Sequence, residues 1–248
     1  MGLFTVLNKT RTATNLSWMQ VDIHSHILPG IDDGSPNVEA SIGFLNRLRA
    51  LGLTVSFATP HVFKEMYPND AETIGTALRR LQTATKTLLP EFQLDAAAEY
   101  MMDTDFVHLY RGGSLLTLPG NHVLVEMSYA AENPEIDRHL FELQVNGYTP
   151  ILAHPERYVY YHDHPERYQR LKDQGCLFQL NLLSPSGYYG TSVRKAAKWL
   201  LKRGMADLVG TDLHHAKHLA AIERFVLGGD AHGAFMKNPI RNKELFGA

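Results

Sequence analysis

From Val21 onward, short apolar runs alternate with longer stretches whose apolar residues recur every three or four positions. The short runs predict strands at Val21–Ile23, Thr54–Ala58, Phe92–Ala98, Val123–Val125, Ile151–Ala153, Leu177–Leu182 and Leu208–Val209. The longer stretches predict helices between them. Ser35 can cap a helix that starts at Pro36, carries Val38, Ile42, Leu45 and Leu48 on one stripe, and stops at Gly52. A second runs from about Asp70 to Leu89, with Ile74, Leu78, Leu81 and Leu88 aligned and Pro90 ending it. Others are expected over 103–110, from Pro134 to near Gly147, and over 165–174, 191–203 and 217–227.

Seven strand-then-helix units imply a parallel sheet. They are short and follow one another without a linker, so residues 19–248 read as one domain. The expected fold is α/β, a distorted (β/α)7 barrel of TIM-barrel-like type, with an open doubly wound sheet as the alternative. No Gly-x-Gly-x-x-Gly follows the first strand and no P-loop is present, which weakens a nucleotide-binding sheet. Residues 1–18 lack periodicity and read as an arm docked by Leu16 and Trp18.

Composition narrows the chemistry. The 248-residue chain has a formal charge of −2, so no global field draws it to nucleic acid or to anionic lipid. No apolar run reaches the ~18 residues of a membrane span. The first residues lack the basic lead of a secretion signal, and Val6 stands where a myristoylation motif needs Ser or Thr. These features point to a cytoplasmic protein without membrane insertion. The single cysteine, Cys176, excludes an internal disulfide and a thiolate zinc site. Leu182 stands where a cysteine phosphatase would carry its arginine, six positions after Cys176, so that mechanism is excluded too. The unusual figure is histidine, at 13 residues.

In barrels of this kind the active site gathers at the carboxyl ends of the strands. His24 and His26 follow strand one, two residues apart and so able to face one side. His61 follows strand two, Glu99 and Glu126 end strands three and four, His154 ends strand five, and Asp212 and His214 end strand seven. Strand six ends in Gln179 and Asn181, which are poor metal ligands. The Gly30-Ile31-Asp32-Asp33-Gly34 turn can return one aspartate over the site. Any one of these has an ordinary structural explanation, but His, Asp and Glu together fill only about one position in six of this chain. Six of seven strand ends supplying one is therefore informative. Nine candidate ligands, His24, His26, Asp33, His61, Glu99, Glu126, His154, Asp212 and His214, suit two or three metal ions, with Mn, Fe, Zn or Co all compatible. His-Pro-Glu-Arg-Tyr occurs at 154–158 and again at 164–168; only the first copy follows a strand. His164 is therefore expected at the surface, as are His108, His122, His139, His162 and His232, while His215 and His218 stay ambiguous.

The blocks Val21-Asp22-Ile23-His24-Ser25-His26, Gly30–Gly34, Ala58-Thr59-Pro60-His61, Ala98-Glu99, Val125-Glu126, Ala153–Arg157 and Thr211–His214 occur in an order that resembles the polymerase-and-histidinol-phosphatase (PHP) superfamily. Within it, they are similar to the bacterial tyrosine phosphatases of capsule and exopolysaccharide loci. The resemblance spans roughly 20–245. It implies a distorted seven-stranded barrel, up to three metals, often manganese, and hydrolysis of phosphotyrosine on the tail of a bacterial tyrosine kinase. It places the family's ligands on the nine residues above, with Asp33 rather than Asp32 as ligand. It also assigns Arg157 to the substrate phosphate. Relatives often carry a second arginine after the Asp-x-His motif, where this chain has Lys217.

The expected reaction is attack of a metal-activated water on phosphorus, with Arg157 neutralising phosphoryl oxygens and Asp212 or a neighbouring histidine handling a proton. A histidinol phosphatase, or another small-molecule phosphomonoesterase, is the enzymatic alternative. The segment Val62–Asp70, with Phe63, Lys64 and Tyr67, is a candidate wall for an aromatic substrate. A metal-stabilised module that docks on a kinase with little turnover is the alternative of another class. Oligomerisation stays open.

Overall fold

Every pairing between strands is parallel, as the alternating pattern requires. The computed structural model describes residues 12–247. β1 (Val21–Asp22), β2 (Val55–Ala58) and β4 (Gln93–Ala96) form one ladder. β3 (His61–Val62), β5 (Glu99–Met101), β6 (His122–Glu126), β7 (Thr149–Ala153), β8 (Leu177–Asn181) and β9 (Leu208–Gly210) form a second, in that order. Seven predicted strands thus become nine segments in seven staves, because two staves are interrupted. Thr59-Pro60 separates β2 from β3, since proline has no N–H for a ladder, and Ala97-Ala98 separates β4 from β5. Glu99 consequently begins a strand rather than ending one. The ladder carries on across both breaks, with Ala97 N–H donating to Ala58 O (2.9 Å) and Glu99 N–H to Pro60 O (3.1 Å).

The sheet curls until its edges meet. Ser25 bridges Leu213, His26 N–H donates to Leu213 O (3.0 Å), and Asp212 N–H donates to His24 O (2.8 Å). Two buried side chains seal this seam. Asp22 accepts from Thr211 N–H at 2.9 Å. The Asn242 amide donates to Val21 O (2.9 Å) and Val209 O (2.6 Å) and accepts from Val209 N–H (2.9 Å).

Helices α1 (Val38–Ala50), α2 (Ala71–Thr85), α3 (Thr104–Arg111), α4 (Ile136–Val145), α5 (Glu166–Asp173), α6 (Thr191–Lys202) and α7 (Ala216–Leu227) follow the expected positions. The cap of α1 is Asn37, whose side chain accepts from Ala40 N–H, and not Ser35. Ser35 is buried and occupied elsewhere: its N–H donates to His26 O and its carbonyl accepts from Gly30 N–H, both at 2.8 Å. Helix α2 ends at Thr85, so Leu88 leaves the predicted stripe and is exposed. Two short helices, α8 (Asp230–Phe235) and α9 (Asn242–Phe246), were too brief to show a period. Of the arm, residues 1–11 lie outside the described part. Leu16 is fully buried and Trp18 stacks on Phe235 at 6.0 Å, both against this chain's own core.

Alternate strand residues separate into two cores, as strand geometry demands. Val123, Val125, Leu152, Phe178, Leu180 and Val209 pack outward under the helices. Val21, Ile23, Leu124, Ile151, Ala153 and Leu208 fill the barrel, which Phe246 of α9 closes from below. Along the inner face the residues turn polar toward the carboxyl ends: Leu124 gives way to Glu126, and Leu177 to Gln179 and Asn181. The barrel therefore has an apolar floor and a polar rim.

The seam predicts a stability effect. Asn242→Ala removes three hydrogen bonds and strands three buried backbone groups, so it should lower unfolding free energy by about 2–4 kcal/mol. Urea titration against Asn238→Ala, which removes an amide with no hydrogen-bond partner among the described residues, checks this; equal midpoints would refute it.

Candidate metal centre

All nine predicted ligands converge at that rim. Three histidines are oriented by bonds on Nδ1: His24 to Gln179 Oε1 (2.7 Å), His26 to Asp32 Oδ2 (2.8 Å) and His214 to Asp212 O (2.8 Å). Each such acceptor draws the ring proton to Nδ1 and leaves Nε2 with a free lone pair, the form that binds metal. His24 Nε2 and His26 Nε2 lie 3.3 Å apart. Glu99 Oε2 is 3.3 and 3.4 Å from them, and Asp212 Oδ1 3.4 and 3.5 Å. His61 Nδ1 stands 3.1 Å from Glu99 Oε2 and 2.8 Å from Glu126 Oε1. Its Nε2, with His214 Nε2, faces Asp33 Oδ1 at 3.5 and 3.6 Å. His154 Nε2 meets Glu99 Oε1 at 3.0 Å.

These spacings pass a simple test. Donor atoms ~2.0–2.2 Å from a shared cation sit roughly 3–3.5 Å from one another. Glu99 Oε2, His61 Nδ1 and His154 Nδ1 are buried and have no hydrogen-bond partner among the described residues. A buried carboxylate oxygen that faces three imidazole nitrogens without a hydrogen bond lacks only a cation. The set of imidazoles and carboxylates therefore fits divalent metals, and the groupings His24/His26/Asp212, His24/Glu99/His154, His61/Glu99/Glu126 and His26/Asp33/His61/His214 can each hold one.

The backbone is bent to produce this convergence. His154 (φ 36°) and Asp212 (φ 51°) adopt left-handed conformations, which are uncommon outside glycine and cost ~1–3 kcal/mol each. Gly34 and Gly210 are required by close approach. A Cβ at Gly34 would lie 2.0 Å from His26 O, and one at Gly210 would lie 2.5 Å from His24 Cβ.

Electrostatics follows from the crowding. Burial opposes ionisation of Asp212 and Glu99, yet the imidazoles around them, with Arg157 beside Asp212, hold both well below the usual carboxylate range. Burial, reinforced by Glu99, pushes Glu126 up. Burial pulls His154 and His214 down to about 4, which keeps them neutral and ligand-competent. Burial and His26 would lower His61, but Glu99 and Glu126 prevail and raise it to about 10, a proton standing where metal charge would stand. Asp32 is lowered to about 2: burial opposes, while the His26 ring and Gly34 N–H outweigh it.

Beside the ligands lies an open cleft of about 300 Å³. Arg157 reaches its floor, with Nη1 2.9 Å from Asp212 Oδ2. The rings of Tyr129 and Tyr189 flank its guanidinium at 4.8 and 4.7 Å. Tyr129 and Tyr188 form an exposed rim. Asn181 also donates to Asp212 Oδ2 (2.6 Å), and Tyr189 OH lies 2.9 Å from His218 Nε2. The sequence sets Gln179 and Asn181 aside as poor metal ligands, prefers Asp33 to Asp32 and gives the Tyr188-Tyr189 pair no role, yet the structure places all of them around the donors or the cleft. The only signal was that Gln179 and Asn181 repeat the two-residue spacing of His24 and His26.

Other expectations change. Lys217 is exposed and is not among the residues that line the cleft, whereas His215 and His218 are. His139 is buried against Tyr110 rather than on the surface, while His162 and His232 are half-buried, bonded to Glu156 O and Ala13 N–H. His164 is exposed, as the internal comparison of the two His-Pro-Glu-Arg-Tyr copies required. In the 62–70 wall, Tyr67 stacks on His61 at 5.3 Å, whereas Lys64 turns away to Asp105. Cys176 is buried and its thiol is pushed up to about 12 by that burial, so it packs and does not react.

Comparison with known proteins agrees with this geometry. Residues 20–222 match the family described as capsular polysaccharide synthesis, CpsB/CapC. The chain is 27% identical over 201 residues to the tyrosine-protein phosphatase CpsB of Streptococcus pneumoniae, covering 79% of this chain and 83% of that one. It is 25% identical over 203 residues to the tyrosine-protein phosphatase YwqE of Bacillus subtilis, covering 79% and 78%. A crystal structure from the pair YwqE and CpsB, described as metal-dependent tyrosine phosphatases, superposes with a TM-score of 0.75 at 22% identity, over 89% of this chain and 96% of that one.

The two adjacent aspartates are separable by experiment. Asp32→Asn should weaken metal binding about 10–100-fold by releasing the His26 ring while leaving the ligand count intact. Asp33→Asn should instead remove one bound ion. Metal content after dialysis, read together with calorimetric titration, distinguishes these; identical stoichiometry in both variants would refute the assignment.

Proposed function

The chain belongs to the CpsB/CapC family, and from that premise we propose that it is a metal-dependent protein-tyrosine phosphatase. The observation that carries the reading is Arg157. A permanently charged fork stands at the floor of an open cleft, anchored to one oxygen of Asp212 while the other faces His24 and His26. A phosphoryl group between the fork and the donor cluster would be neutralised by Arg157 on one side and, on the other, by the metal ions that the nine donors would hold.

Two or three divalent ions held by the nine residues, manganese first and iron, zinc or cobalt as alternatives, would supply an acidified water and positive charge for the phosphoryl oxygens. The remaining work belongs to the protein. Tyr129 and Tyr189 confine the guanidinium, so its geometry is set before substrate arrives. Tyr129 and Tyr188 offer ring surface at the rim to the phenyl group of a phosphotyrosine. Asp212 accepts bonds from Arg157 and Asn181 on one oxygen, and its low proton affinity makes it a weak base. It acts as ligand and as anchor for Arg157, which argues against the proton-transfer role that the sequence suggested. A phenolate leaving group tolerates this, because phenols ionise near pH ~10 and depart with little proton assistance.

The substrate on this reading is a phosphotyrosyl protein or peptide, with the tail of a bacterial tyrosine kinase that controls capsule or exopolysaccharide synthesis as partner and the cytoplasm as location. Among the described residues, no helix is long and apolar enough to cross a membrane.

The test is phosphate release from a phosphotyrosyl peptide by metal-reconstituted protein, with histidinol phosphate run in parallel and a chelator control. Chelator-sensitive turnover of the peptide alone is expected. Preference for histidinol phosphate would overturn the substrate, and no turnover with metal bound would overturn the reaction. Arg157→Lys, which keeps the charge and loses the fork, should lower kcat/KM about 10²–10³-fold at unchanged metal content; wild-type kinetics in that variant would remove Arg157 from the site.

A further inference from the structure

A second cleft, of about 760 Å³, opens between α6 and α8 on the far side of the segment 184–190 from the metal centre. Arg194, Lys198 and Lys202 recur every four residues along α6 and line one wall, and Lys237 lines the other. Among the described residues none of the four forms an ion pair. The one carboxylate in the lining, Asp230, leaves positive charge in clear excess. Asn238, also in the lining, is nine-tenths buried, and both its amide nitrogen and its amide oxygen lack a hydrogen-bond partner among the described residues. A buried amide without partners is costly and rare unless water or a ligand completes it. Like charges around a concavity focus a positive potential there, which favours an anionic ligand.

The N-terminal segment cannot supply that charge. Residues 1–11 contain Lys9 and Arg11 and no Asp or Glu. The recess also argues against a flat bilayer, since Asn238, which lines it, is nine-tenths buried. The position argues for the substrate protein. Pro185 and Ser186 line this cleft, while Tyr188 and Tyr189 line the catalytic one. Two residues of chain span at most ~7 Å, so one extended peptide of a few residues can reach both.

We propose that the α6–α8 cleft is an exosite for an acidic or phosphorylated segment of the same polypeptide whose phosphotyrosine enters the metal centre. The four cations hold its carboxylates or a further phosphoryl group, and the Asn238 amide bonds to its backbone or side chain. This rests on the phosphatase reading for the identity of the ligand, though not for the existence of the site.

The test has a binding arm and a kinetic arm. In the first, a fluorescent Glu-rich peptide without phosphotyrosine is titrated by anisotropy against the metal-loaded full chain. Arg194→Glu/Lys198→Glu should weaken its binding at least about tenfold and flatten its salt dependence. Asn238→Leu should weaken it too, with an unchanged or raised Tm, because an apolar side chain of similar size removes an unpaired amide. In the second, KM for a phosphotyrosyl peptide with a flanking acidic run should rise about tenfold in the double variant. The kcat, and the KM of a short peptide with uncharged flanks, should stay at wild-type values. Equal peptide affinity in all three proteins overturns the exosite. Loss of binding to phosphatidylglycerol vesicles, with peptide affinity retained, overturns it in favour of a membrane. If no phosphotyrosine is hydrolysed while the anisotropy differences persist, the catalytic reading fails and the anionic site stands.

Discussion

Four carboxylates and five imidazoles crowd the top of one barrel, and a buried carboxylate stays ionised only beside positive charge. Glu99 is the pivot. Fully buried, it touches His24, His26, His61 and His154, so it links otherwise separate groups of donors. The rest of the fold can be read as what is needed to bring those groups to one oxygen pair. The ladder keeps its register across the interruptions at Thr59-Pro60 and Ala97-Ala98, with Ala58 opposite Ala96 and His61 opposite Glu99, so these two donors stand side by side on neighbouring staves.

Closure of the sheet answers the same need. His24 and His26 belong to β1's exit, whereas Asp212 and His214 belong to β9's, at opposite ends of the chain. Their convergence depends on the seam that Asp22, Thr211 and Asn242 hold together. Burial raises the Asp22 carboxyl to about 6, against the pull of its bonds to Thr211 and His24. A polar clamp is thus used inside the core where side chains of three distant segments must meet at fixed height. The left-handed backbone at His154 and Asp212 adds local cost at the same level, which places the strain at the residues whose side chains must turn inward.

Much of this was legible in the sequence, for an identifiable reason. Strand ends are marked by the switch from apolar to polar residues, and ligand types are few, so Val21–His26, Ile151–His154 and Leu208–His214 announce both the stave and its chemistry. Helix ends were less legible where a residue had a competing tertiary task. Ser35 could cap α1 by type, but its backbone is tied to His26 and Gly30, so Asn37 takes the role. Leu88 fits the α2 stripe by spacing, though the helix stops before reaching it. His139 looked like a surface residue because burial of a lone histidine depends on a partner, Tyr110, that lies 29 positions away. Asp32 and Gln179 were invisible as functional residues because their task is to choose the tautomer of another side chain, and no spacing rule encodes that.

The same logic explains why the cleft's basic group is where it is. Arg157 follows His154 by one short turn, so a donor of the cluster and the cation of the cleft share one segment. That segment is fixed from behind by Glu156, whose buried carboxylate accepts from Asn181 N–H and Ser184 Oγ and is raised by burial to about 7. Asn181 in turn reaches Asp212, and Asp212 holds Arg157. The loop from Glu156 through the Asn181 backbone N–H and side chain to Asp212 and back to Arg157 therefore joins the ends of three staves. A displacement of the donor cluster at Asp212 is transmitted to the guanidinium through a single bond. The relative position of donors and guanidinium is set by this closed circuit and not by either group separately.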